Sequence, residues 1–110
     1  MQKKEFRLEK KDDIVKIIRN GNKIAGKLFL CKFLENGLRH CRFTVVISKK
    51  VEKSAVRRNK CKRRIYEVIR NNVNDICQPE KSHDVVILTN QNCVNAPFSE
   101  IEREIKKLKI

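Results

Sequence analysis

Apolar residues recur along this chain in two rhythms, and each change of rhythm marks a new element. Ile14, Val15, Ile17 and Ile18 follow Asp12 and Asp13 and precede Gly21. An acidic N-cap, helical spacing and a closing glycine predict a short amphipathic helix with Lys16 and Arg19 facing outward. Residues 27–34 then alternate, with Phe29, Cys31 and Phe33 on one face and Leu28, Leu30 and Lys32 on the other, which predicts a strand. Glu35-Asn36-Gly37 is a turn signal, so the next strand is expected to pair antiparallel with this one. It covers residues 41–48, with Phe43, Val45 and Ile47 to one side and Arg42, Thr44, Val46 and Ser48 to the other.

Helical spacing returns over residues 55–74, where Cys61, Ile65, Val68, Ile69 and Asn72 fall within about 100° of arc and give a narrow face for docking on the sheet. Residues 84–89, Asp-Val-Val-Ile-Leu-Thr, are an almost unbroken apolar run and suit a strand buried on both faces. Pro97 and Ser99 open a last helix. There Ser99 and Glu102 have capping-box spacing, Ile101, Ile105 and Leu108 form the inner stripe, and Lys106, Lys107 and Lys109 complement the helix dipole. The order is helix, strand, strand, helix, strand, helix, with a short further strand near residues 23–26. This predicts an α+β fold, a two-layer sandwich of helices on a small mixed sheet. No repeat or linker divides the chain, so residues 1–110 are read as a single domain.

Charge narrows the partners. Lys and Arg number 27 against 13 Asp and Glu, a formal net charge of +14. Such a field draws polyanions: nucleic acid, an anionic membrane or an acidic protein. The longest apolar runs are about five or six residues, far below the roughly 20 of a spanning helix. The basic start, Met1 to Arg7, leads into no apolar signal-peptide core, so no membrane partner and a cytoplasmic location are expected. Cys31, Cys41, Cys61, Cys77 and Cys93 are odd in number, widely spaced and without a C-x-x-C pair. They are read as small apolar thiols kept reduced, with neither a zinc site nor a disulfide framework.

Between residues 49 and 64 stand nine cations (Lys49, Lys50, Lys53, Arg57, Arg58, Lys60, Lys62, Arg63 and Arg64) and one acid, Glu52. With Cys61 at the centre of the buried arc, Asn59, Arg63, Tyr66 and Arg70 fall opposite it. Arg57, Lys60 and Arg64 flank one edge, and Arg58 and Lys62 the other. A solvated helix face would mix signs to gain i,i+4 pairs; this one hardly does, so a phosphate backbone is the natural counter-charge. Arginine can bridge two phosphate oxygens, lysine adds point charge, and Asn59 offers both a donor and an acceptor. The pattern alone serves DNA and RNA equally.

The stretch Arg42-Phe43-Thr44-Val45-Val46-Ile47-Ser48-Lys49-Lys50, followed by Ala55-Val56-Arg57-Arg58-Asn59-Lys60-Cys61-Lys62-Arg63-Arg64-Ile65, resembles the signature of the bacterial ribonuclease P protein family. That signature is a strand ending in Ser-Lys-Lys, then Ala-x-x-Arg-Asn-Arg-x-Lys-Arg at the start of a long central helix; Lys60 replaces its middle arginine. The resemblance covers essentially the whole chain. It implies a left-handed strand-helix-strand crossover, against the usual hand. It also implies a holoenzyme whose catalytic RNA uses Mg2+, at the RNA–substrate site, to hydrolyse the phosphodiester at the mature 5′ end of precursor tRNA. The protein is then a non-catalytic subunit that binds this RNA and the 5′ leader, broadens the substrate range, and holds no cofactor or small-molecule substrate itself. The RNA-contacting residues implied are Lys49, Lys50, Arg57, Arg58, Asn59, Lys60, Lys62 and Arg63, with Arg64 beside them. The leader cleft implied lies between the first helix, the sheet and the central helix, with Ile14, Ile18, Phe29, Lys32, Phe33 and Tyr66 as candidates. Ile14 and Ile18 stand where many members carry aromatics, so base stacking from that helix is lost, and Phe29 and Phe33 are the candidate substitutes. Val51-Glu52-Lys53-Ser54 lengthens a loop in which glycine is common, and Thr44 also stands at a frequent glycine position.

The chain offers little for chemistry of its own. Its acids are scattered, His40 and His83 are read as surface or loop residues beside a turn and a strand start, and no phosphate-cradling glycine loop exists. No catalytic or metal-ligating residue is expected. Competing readings are a ribosomal-type structural RNA-binding protein without a role in tRNA processing, a DNA-binding module using residues 55–74 as recognition helix, and a stand-alone ribonuclease.

Overall fold

The computed structural model describes residues 7–8, 10–77 and 80–108, so the basic start before Arg7 and Lys109 of the last helix lie outside the described residues. The elements are α1 (Lys11–Asn20), β1 (Asn22–Ala25), β2 (Phe29–Glu35), β3 (Arg42–Val46), α2 (Ala55–Ile76), β4 (His83–Thr89), α3 (Gln91–Asn95) and α4 (Phe98–Lys106). The four strands form one mixed sheet in the order β1-β2-β4-β3. β4 pairs antiparallel with β2 and parallel with β3, so β3–α2–β4 is the expected crossover unit.

The α+β architecture and the short strand before β2 are as the pattern predicts; the expected β2–β3 hairpin is not. β4 lies between those strands, with Phe33 and Phe43 both opposite Val85. The turn signal is real, because Gly37 takes φ +67°, and Arg39 takes the same angle. The connection is nevertheless tied to residues 82–84 instead of closing a hairpin. Asn36 Oδ1 accepts from Ser82 Oγ at 2.7 Å, and Asn36 Nδ2 donates to Asp84 Oδ1 at 2.8 Å. Arg42 forks the same carboxylate, Nε to Oδ1 at 2.8 Å and Nη2 to Oδ2 at 2.6 Å. That hydrogen bonding pushes the Arg42 pKa further up.

Central placement explains the apolar run of β4. Val85 and Ile87 join Cys31, Phe43 and Val45 under α2 and α4, while Val86 meets Leu8 and Ile17 on the opposite face. The sheet and the helices α2–α4 are the two layers expected, and α1 covers the other face. Ile65, Val68 and Ile69 of α2 have no exposed surface. Each contributes about 1.5–3 kcal/mol by burial. Ser54 caps α2, its hydroxyl accepting from the Arg57 N–H at 3.3 Å. Asn72, within the inner stripe, leaves helical geometry at φ −128° and donates from Nδ2 to the Val68 carbonyl at 2.8 Å, and the stripe resumes at buried Ile76.

Other local expectations shift. α1 is capped by Lys10, with Asp12 and Asp13 inside its first turn. α4 is capped by Pro97, so Ser99 lies within the helix and forms no capping box. Ahead of it the sequence reading missed α3, whose cap Asn90 accepts from the Cys93 N–H at 3.2 Å. The cysteines are not five separate thiols. Cys41 and Cys77 meet, with their sulfurs in bonding contact, although they stand 36 positions apart in the chain. Cys61 and Cys93 lie 3.9 Å apart, sulfur to sulfur, and that hydrogen bond together with burial pushes the Cys93 thiol up. His83, expected at the surface, is buried beside the Phe33 ring, and burial holds its imidazole below its ordinary pKa. Among the described residues no helix is long and apolar enough to cross a membrane.

Candidate nucleic-acid interface

The basic segment begins where β3 leaves the sheet and continues around the first turns of α2. The Ser48 carbonyl accepts from the N–H groups of Val51 and Glu52, both at 3.1 Å, which closes a turn that sets Lys49 and Lys50 at the exposed tip. Arg58, expected as a phosphate contact, also holds this loop. Its Nη1 donates to the carbonyls of Glu52 at 2.8 Å and Lys53 at 2.9 Å. Hydrogen bonds from a charged donor of this kind are worth about 1.5–3 kcal/mol. Arg57 is also engaged: Nε pairs with Glu52 Oε1 at 3.0 Å, and Nη2 donates to Asn95 Oδ1 at 2.9 Å.

The remaining candidates point outward. Lys49, Lys50, Asn59, Lys60 and Arg63 are exposed, and Lys62 and Arg64 are half-buried at the flanks of the docked stripe. Glu52, the single acid of the segment, is held by Arg57 and accepts from the Ser54 N–H at 3.3 Å. The face therefore presents positive charge with little internal compensation. Exposed charges of one sign interact over about 8–10 Å in physiological salt, so these cations act as one field.

Beside them lies a groove of about 530 Å³ lined by Arg7, Asn59, Lys62, Arg63, Tyr66, Glu67 and Arg70. The sequence pattern placed Asn59, Arg63, Tyr66 and Arg70 together and had no signal for Arg7, which arrives from the N-terminal segment. Residues 7 and 8 run along β3, where Arg7 bridges to Phe43 and the Leu8 N–H donates to the Phe43 carbonyl at 2.9 Å. That pairing sets the Arg7 guanidinium 5.0 Å from the centre of the Tyr66 ring.

The residues proposed for a leader cleft do not assemble in one place. Ile14 and Ile18 pack half-buried with Leu34, Val46 and Leu88 on the α1 face of the sheet. Lys32 alternates onto that face as well, between Cys31 and Phe33, which turn to the opposite core. Phe29 is only 2% exposed there, too deep to meet a ligand, and Phe33 packs against the same core and His83. Tyr66 belongs to the groove at the β3 edge. Ile14, Ile18 and Lys32 thus share the α1 face, whereas Phe29 and Phe33 pack into the opposite core.

Known proteins with this pattern are consistent in kind. Residues 1–109 match the family model described as Ribonuclease P. The chain is 34% identical over 102 residues to the ribonuclease P protein component of Alkaliphilus oremlandii, covering 93% of this chain and 86% of that one. It is 32% identical over 101 residues to its counterpart in Clostridioides difficile, covering 92% and 86%. Among solved structures, the RNase P protein of Thermotoga maritima superposes with a TM-score of 0.80 at 25% identity, covering 94% of this chain and 98% of that one. The Staphylococcus aureus RNase P protein gives the same score and identity, covering 94% and 91%.

Proposed function

The chain belongs to the ribonuclease P protein family, the protein component of an endoribonuclease that pairs with the ribonuclease P RNA, and from that premise we propose how its surface serves the assembly. Lys49, Lys50, Lys60, Lys62, Arg63 and Arg64, with Asn59, dock on the phosphates and riboses of that RNA. Arg57 and Arg58 act one step back, holding the loop that presents Lys49 and Lys50. The observation that carries this reading is the basic segment from Lys49 to Arg64, whose single acid, Glu52, is already paired to Arg57. A phosphate backbone supplies the missing counter-charge and gains entropy as its own counterions are released.

The precursor's 5′ leader then runs along the α1 face, over Ile14 and Ile18 with Lys32 as a phosphate partner. Contact there is apolar and without stacking, so about 1–3 kcal/mol per stacked base is forgone relative to an aromatic platform. Magnesium needs clustered oxygen donors. Glu52 is engaged by Arg57 and the Ser54 N–H among nine cations, so the basic face does not fit that ion, and the reading assigns it to the RNA–substrate site. The compartment follows from the substrate, since precursor tRNA is made in the bacterial cytoplasm.

The test is cleavage of a precursor tRNA at low magnesium by a bacterial ribonuclease P RNA, with the protein added, omitted, or supplied without RNA. Cleavage at the mature 5′ end only when both are present supports the reading. A protein that binds the RNA yet leaves cleavage unchanged fits the ribosomal-type alternative, and cleavage by protein alone would assign it an active site.

A further inference from the structure

Cys41 immediately precedes β3, Cys77 caps the C-terminus of α2, and His83 opens β4. All three are buried, and their two sulfurs and one imidazole nitrogen lie within 4.8 Å of one another. We infer that Cys41, Cys77 and His83 form a binding site for one zinc-class divalent cation at the joint of the β3–α2–β4 crossover.

The donor set is that of a borderline-soft d10 ion, two thiolates and an imidazole. Among the described residues the group has three members, which leaves one position of a tetrahedral ion for water or another oxygen donor. His83 Nδ1 is buried with no hydrogen-bond partner among the described residues, and a metal ion would satisfy an orphaned ring nitrogen of this kind. The His83 backbone N–H donates to Cys41 Sγ at 3.1 Å, a contact that stabilises a sulfur carrying negative charge. On binding, each thiol releases its proton to solvent and its sulfur takes up the metal, while the imidazole binds neutral. Two thiolates and a divalent ion sum to zero charge, which suits the buried position.

The site is braced from outside. The Asn36–Ser82 and Asn36–Asp84 hydrogen bonds, with the Arg42–Asp84 fork, fix the chain on either side of Cys41 and His83. The Cα atoms of Cys41 and Cys77 are 6.4 Å apart, a spacing that suits shared metal ligands as well as a disulfide. A disulfide would leave His83 Nδ1 without a hydrogen-bond partner among the described residues; a metal uses all three groups.

The experiment takes the reduced, metal-free full chain and titrates it with Co2+ and then Zn2+, reading thiolate-to-cobalt charge-transfer absorption and the metal bound per chain. The expected result is one metal per folded chain, a two-thiolate cobalt spectrum, and displacement of cobalt by zinc. Cys77→Ser should halve the charge-transfer intensity. His83→Gln should keep it but weaken zinc binding by more than the roughly 10–100-fold that an outer-shell change costs. Cys61→Ala, outside the group, should bind as the unaltered chain does. The inference is overturned if the folded, reduced, unaltered chain binds no stoichiometric zinc, or if its mass under reductant stays two hydrogens light, which identifies a persistent Cys41–Cys77 disulfide. The cobalt spectrum is read on the unaltered chain, so a variant that misfolds leaves the test intact.

Discussion

The Tyr66 hydroxyl accepts a hydrogen bond from the Val45 backbone N–H at 3.0 Å, reaching from α2 to the open edge of β3. Leu8 takes the neighbouring outward group, the Phe43 carbonyl, so the strand's unpaired side is closed by one tyrosine and one backbone segment. Edge strands left open invite pairing with other chains. Tyr66→Phe keeps the ring under Arg7 and removes only the acceptor. It should cost about 1–3 kcal/mol, the penalty for an orphaned donor. Urea denaturation, read as a lower midpoint at unchanged slope, checks this.

Lys62→Ala and Arg58→Ala should separate contact from support. Lys62→Ala should leave stability nearly unchanged and lower the log–log salt slope of RNA affinity by about 0.7–0.9, one phosphate's share. Arg58→Ala should weaken binding and also lower the thermal midpoint, because the Glu52 and Lys53 carbonyls lose their donor. Equal effects of both variants on stability would remove the distinction.

Gly21 follows α1 at φ −72°, an ordinary angle, so its importance is space. A Cβ there would stand 2.5 Å from the Ile17 carbonyl oxygen and 3.0 Å from that of Phe33. Both are backbone atoms and cannot swing aside. Gly21→Ala should destabilise by about 1–3 kcal/mol, as overpacking does. Calorimetric unfolding measures it directly.

Cys31 is fully buried, and burial pushes its thiol up to about 12. In the unfolded chain it ionises above its ordinary 9.0. Between those values the unfolded state binds fewer protons than the folded one, so stability falls as pH rises, by up to about 1.4 kcal/mol per pH unit. Cys31→Ala, less stable at neutral pH because it leaves a cavity, should lose this component. The stability difference between the two proteins should therefore narrow from pH 9 upward in denaturant titrations.

The elements legible in the sequence were those whose period is long or whose burial is extreme. The i, i+3, i+4 spacing of Cys61, Ile65, Val68 and Ile69 drew α2, and the run from Val85 to Leu88 marked a strand covered on both faces. Period-2 alternation says which face a residue takes and nothing about which strand lies beside it, so β4 between β2 and β3 was invisible. The five-residue α3 is too short for periodicity, and its Asn90 cap was the one available signal. At the interface, charge density located the basic face. Charge does not reveal a partner, and only coordinates separate Arg58, bonded to its own loop, from Lys62 at the groove. The meeting of Cys41, Cys77 and His83 depends on where the crossover ends, which spacing along the chain does not report.

The position of β4 also governs how this fold comes together. β1 and β2 can meet locally, but β3 finds a sheet neighbour only when β4 has crossed α2 and settled between β2 and β3. Such a closure is non-local, and non-local pairings slow folding because chain entropy is lost before the contacts that repay it form. The basic helix rides on the closing segment. An RNA that grips α2 only in its docked form therefore holds the last strand in place, drawing the folding equilibrium toward the native state by mass action.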